Sequence, residues 1–148
     1  MPSAAGSVWQ TGVAPFGYGI AGIGTLPLRV AGDFSHTTLY FRRSFEVADP
    51  AKYTTLKIRL RREGGAAVYL NGEEVLRDKL ISGASFNTSS EETENLARIA
   101  SYVFGIDADK LREGQNVIAV EVHQEAPGSP DMAFDLELSG QLREDTFE

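Results

Sequence analysis

Apolar and polar side chains alternate with a period of two through much of this chain. In 39–47, Leu39, Phe41, Phe45 and Val47 are apolar, while Tyr40, Arg42, Ser44 and Glu46 between them are more polar. That alternation predicts a half-buried strand, and Arg43 on its apolar face needs a partner or an exit at the strand edge. Leu56, Ile58 and Leu60 alternate with Lys57, Arg59 and Arg61, giving a second strand with a basic outer face. Ala66–Leu70 follows the turn Glu63-Gly64-Gly65, and Asn71-Gly72 comes next. Asn-Gly is the strongest short hairpin signal, because a type I′ turn needs positive φ at both central residues. The return arm is 73–80. Val117–His123 is apolar almost throughout, as a central strand would be. Met132, Phe134, Leu136 and Leu138 alternate with Ala133, Asp135, Glu137 and Ser139, which predicts a final strand with an acidic outer face. The predicted core is therefore Phe41, Phe45, Ile58, Leu60, Val68, Leu70, Ile118, Val120, Phe134 and Leu136.

Other segments break the pattern. Trp9 to Ile20 is glycine-rich and aromatic, too dense in glycine for a helix and suited to an ordered loop or an irregular edge strand. Asp49-Pro50, 111–116 and 126–130 are turns or loops. Ser89 and Glu92 have capping-box spacing. Leu96, Ile99, Ala100, Val103 and Phe104 recur at helical intervals, predicting one short helix. Several short strands separated by turn signals argue for a sandwich or barrel. With no internal repeat and no linker, residues 1–148 read as one domain.

Charge and composition narrow the partners. The chain has 148 residues, a formal net charge of -7 and a sequence pI near 4.9, so a nucleic-acid backbone is repelled rather than bound. There is no cysteine, which removes disulfides and thiolate metal sites. No apolar run reaches the roughly 18 residues of a membrane span, so membrane insertion is not expected. Met1 to Gly6 lacks the basic and apolar regions of a signal peptide. The chain is then either cut from a longer exported protein or does not use that route.

Taken together, Thr38-Leu39-Tyr40-Phe41-Arg42 with Phe45, Val68-Tyr69-Leu70-Asn71-Gly72-Glu73-Glu74-Val75 with Arg77, Gly114, Asn116 to Gln124, Asp131 and Phe134 to Leu138 carry a resemblance. They are similar to the galactose-binding-like jelly-roll modules appended to large bacterial extracellular proteins, metallophosphatases and some phage structural proteins. Trp9, Gly12 and Phe16-Gly17-Tyr18-Gly19 resemble the opening of that module, so the resemblance covers about 9–138. It implies an all-β jelly-roll sandwich, a non-catalytic accessory role, and an extracellular, cell-surface or virion-surface location. One departure is Glu63-Gly64-Gly65, where the module usually has two aspartates and a glycine. Any role of those aspartates in orienting a loop or holding a cation is therefore not carried over.

Catalytic signatures are missing from the sequence. His36 and His123 form no metal-binding pair, there is no G-x-S-x-G elbow, and the glycines after Phe16 lack a strand-to-helix context. The candidate ligand-binding residues are Tyr18, His123, Gln124 and Asp131, from two loop-like segments that offer one site if they share a rim of the sandwich and lose it if they lie apart. Tyr18 is the ring expected to be most exposed, for stacking on a sugar. The alternative for His123 is a hydrogen bond to Glu121, Asp131 or backbone that fastens a loop. Arg42 and Arg77 read either as sugar or carboxylate contacts or as ion pairs with neighbouring acids. Trp9 reads as a core plug or a stacking ring. Asp135 and Glu137, with Glu121 and Asp131, are the candidate ligands of a structural calcium ion, which needs six to eight oxygens; the alternative is a solvated strand face. Two functions follow: a carbohydrate-binding module, or a structural domain that contacts a protein surface and forms a homo-oligomer in an assembly such as a virion decoration or fibre.

Overall fold

The computed structural model describes residues 9–26, 37–91 and 101–144. Within them, eight strands form two four-stranded antiparallel sheets. They are β1 (Phe16–Tyr18), β2 (Thr38–Val47), β3 (Tyr53–Arg62), β4 (Gly65–Leu70), β5 (Glu73–Asp78), β6 (Ser101–Asp107), β7 (Gly114–His123) and β8 (Met132–Leu142). One sheet has the order β1-β8-β3-β6, the other β2-β7-β4-β5. The domain is thus an all-β sandwich, and β7 is central, as its apolar sequence predicts. The described residues also include short 3-10 turns at Pro50–Lys52 and Ala108–Lys110.

The alternating residues meet in the middle. Ile58, Leu60, Ala66, Val68, Ile118, Val120, Val122, Met132 and Phe134 form one buried cluster with Tyr18. Phe41, Phe45 and Leu136, though only partly buried, pack against it. Leu70 is buried in a second cluster with Leu56, Ala108 and Leu111. All ten predicted core residues therefore contribute. The sheets are joined by rings: Phe41 of one sheet stacks on Phe134 of the other at 4.4 Å between centroids, and Phe16 lies 5.0 Å from Phe41. Arg43 is exposed, an exit that its place on the edge strand β2 permits.

The hairpin signal is realised as read. Asn71 has φ 51° and Gly72 φ 85°. Asn71 also ties this end of the sandwich together, since its Nδ2 donates to Lys110 O (3.0 Å) and Asn116 Oδ1 (2.9 Å). At the opposite end, Arg62 of β3 crosses to the other sheet. Its Nε donates to Asp78 Oδ2 at 2.6 Å and its Nη1 to Gly64 O at 2.6 Å, with only 3% of the side chain exposed.

The predicted helix requires correction. Leu96, Ile99 and Ala100 lie outside the described residues, but Val103 and Phe104 belong to strand β6. Tyr102, Phe104 and Ile106 stand opposite Leu60, Ile58 and Leu56 of β3, and exposed Val103 sits on the other face. An apolar residue on the solvent side hides the period-two pattern and mimics helical spacing.

Candidate functional site

Strand register brings the four predicted ligand residues to one end of the sandwich. Tyr18 closes β1 opposite Met132, next to Asp131; His123 closes β7 and Gln124 follows it. The β3–β4 connection links the two pairs. Glu63 N donates to Ala133 O at 2.9 Å, and Gly64, at φ +87°, lies so close to His123 O that a Cβ would collide with it. Only glycine fits there. The four side chains are, however, buried: Tyr18 7% exposed, His123 0%, Gln124 3% and Asp131 7%. The expectation that Tyr18 is the exposed ring is corrected, because β1 turns it into the core against the inner faces of both sheets.

His123 fastens a loop. Its Nδ1 lies 2.5 Å from Thr88 O and 3.1 Å from Thr38 Oγ1, while that hydroxyl donates to Phe86 O. A carbonyl only accepts, so Nδ1 carries a proton and points it at the 79–91 segment. Ser90 N donates to Gln124 O and Glu91 N to Lys79 O, which completes a strap over the end of the β2-β7-β4-β5 sheet. The far ring nitrogen, Nε2, is buried and has no hydrogen-bond partner among the described residues; the same is true of Gln124 Oε1. Nε2 faces Glu121 Oε1 at 3.9 Å.

Beyond the strap, that sheet presents a polar and aromatic outer face. Val120 and Val122 point into the core, so Ala119 and Glu121 point out. Cross-strand register then defines two rows: Tyr40–Glu121–Ala67–Arg77, and Arg42–Ala119–Tyr69–Glu74. Two tyrosines from β2 and β4 thus flank β7 diagonally, their Cα positions on the order of 12 Å apart from strand spacing and rise. Ala67 and Ala119 leave the ground between them low. Glu121, 7% exposed, lies in this gap, and Tyr69 Oη donates to its Oε1 at 3.1 Å. Burial first, and then the Glu121 charge, push the Tyr40 and Tyr69 hydroxyls above the ordinary tyrosine value, so both remain protonated donors.

The arginines have partners here. Arg77 grips Glu74 with Nε (3.0 Å) and Nη2 (2.5 Å) and donates to Ile81 O. That hydrogen-bonded pair lowers the Glu74 carboxyl and raises the Arg77 guanidinium. Arg42 stacks 4.2 Å from the centroid of the half-buried Trp9 ring. Arg42 and Arg77 were legible as candidates; Tyr40 and Tyr69 were not, because only the β2-β7-β4 register places them around Glu121.

Asp135 and Glu137 lie on the outer face of the other sheet, opposite Arg61 and Arg59 of β3. Both carboxylates thus face cations across the strand pair, and Glu121 lies on the opposite sheet. Among the described residues no group of three His, Cys, Asp or Glu side chains is placed to hold a metal. No helix among the described residues is long and apolar enough to cross a membrane.

These features define a two-sheet antiparallel β-sandwich with a polar, aromatic sheet face. No family model and no curated protein matches the sequence. Solved structures do share the fold. An α-L-rhamnosidase from Aspergillus terreus is similar over 77% of this chain and 13% of its own, at 17% identity and a TM-score of 0.51. An α-L-rhamnosidase from Dictyoglumus thermophilum is similar over 76% of this chain and 12% of its own, at 16% identity and a TM-score of 0.50. The chain thus spans about an eighth of the length of either enzyme.

Proposed function

We propose that this domain is a non-catalytic carbohydrate-binding accessory module. The observation that carries the reading is the outer face of the β2-β7-β4-β5 sheet, where two half-buried tyrosines flank a carboxylate. Sugar rings offer C–H faces to aromatic side chains and hydroxyls to planar polar groups, and this face supplies both on rigid strands. The likeness to a small part of two glycosidases supports a domain that accompanies catalysis rather than performs it. In this reading the buried His123, Gln124, Asp131 and Tyr18 hold the rim and strap in place beside the binding face. The test is a glycan array probed with the whole chain, with α-L-rhamnosides included because both neighbours are named α-L-rhamnosidases. Saturable binding to a defined set of glycans is the expected result. No binding to any glycan, with a stable homo-oligomer on a sizing column, would replace it with the assembly role.

A further inference from the structure

We infer that the module takes neutral sugars, holding adjacent hydroxyls on the Glu121 carboxylate between Tyr40 and Tyr69 without a bridging cation; this rests on the carbohydrate-binding reading above. Three observations carry it. First, Glu121 is an acceptor with one donor among the described residues. A carboxylate offers about four lone-pair sites, and among the hydrogen bonds of the described residues Tyr69 Oη supplies one donor, at 3.1 Å. Two neighbouring sugar hydroxyls would supply the paired donors such a group accepts best.

Second, charge on this face leaves a neutral ligand as the best fit. Glu121 and Glu74 oppose an anionic sugar. Arg77 and Arg42, in the same two rows, oppose a cationic amine. The Arg77–Glu74 grip already satisfies both of those charges.

Third, a fully buried polar group under the strap is aimed at the same carboxylate from along β7. His123 Nδ1 is held by Thr88 O and Thr38, which fixes the ring so that unpartnered Nε2 faces Glu121 from 3.9 Å. His123 thus borders the carboxylate on its strap side. In this arrangement the hydroxyls are held by protein groups directly, which binding in chelator tests.

The experiment is an array of neutral oligosaccharides and their uronic-acid counterparts, run in chelator, followed by titration of the strongest neutral hit. The parent chain is compared with Glu121→Gln, with Tyr40→Ala, and with Lys57→Gln on the opposite sheet as a control. Binding to neutral glycans in chelator is expected. Affinity should fall about tenfold to hundredfold in Glu121→Gln, the range for a hydrogen bond to a charged group. It should fall in Tyr40→Ala and hold in Lys57→Gln, with circular dichroism unchanged in each. If the parent binds glycans but both face variants keep its affinity, the site is wrong and the module reading stands. Preference for uronic acids, or loss of binding in chelator, also overturns the inference. Failure of the parent to bind any glycan, with or without chelator, overturns the module reading itself.

Discussion

Glu121 charges the environment of two phenols, and that has a measurable alkaline consequence. Tyr40 and Tyr69 are raised above the ordinary value of about 10, first by burial and then by the Glu121 charge. A group whose folded pKa lies above its unfolded one contributes stability that is complete below the unfolded value. That contribution is lost as pH rises through the folded value. Stability should therefore decline above about pH 10, and Tyr69→Phe should flatten part of the decline in pH-dependent melting curves. A Tyr69→Phe curve that superimposes on the parent's in this range would refute the assignment. Backbone conformation gives a second test. Gly72 sits at φ 85° with no heavy atom within 4 Å of an added Cβ, so Gly72→Val suffers conformational strain and no collision. The expected loss is about 1–2 kcal/mol by chemical denaturation. Single residues were partly legible. Asn71-Gly72 carries its turn in its chemistry, and His123 stands out as a polar group ending an apolar strand. Tyr18 misled, because a glycine-rich loop composition does not reveal which way a three-residue strand turns its ring.

At the scale of elements, the β3–β4 connection carries a buried ionic link between the two sheets. Arg62 ends β3, is buried, and reaches Asp78 at the end of β5 and Gly64 O within the connection. Removing one member of a buried pair leaves an uncompensated charge. Asp78, with 20% of its side chain exposed, lets some water in, so Asp78→Ala should cost about 2–3 kcal/mol, below the usual range for such a deletion. Joint replacement by Arg62→Met and Asp78→Leu should recover much of that loss. Equal destabilisation in the single and double variants would show that the pair acts through packing alone. Strands with clean alternation were readable here, since burial on one face writes itself into every second residue. β6 was not, because Val103 puts an apolar side chain into solvent.

Across the whole molecule, pairing partners were the hidden quantity. A sequence shows which residues of a strand face inward, but the neighbour of each strand depends on topology. The Tyr40–Glu121–Tyr69 grouping joins positions from β2, β7 and β4, so it emerges only once those three strands are side by side. The four rim residues, by contrast, sit in loop-like segments, which a sandwich gathers at its two ends, but that they share one end follows from the pairing of β1 with β8 and of β7 with β4. Topology also bears on how the chain reaches this state. Among the described strands, β4 and β5 are the one consecutive pair hydrogen-bonded to each other, across a two-residue turn, whereas β1 pairs only with β8, more than a hundred residues away. Closing a long loop costs entropy before its contacts form, so the hairpin is poised to nucleate and β1 to dock at the end. A nascent chain emerging from the ribosome could build the β4–β5 ribbon early, yet could not pair β1 until β8 had been synthesised.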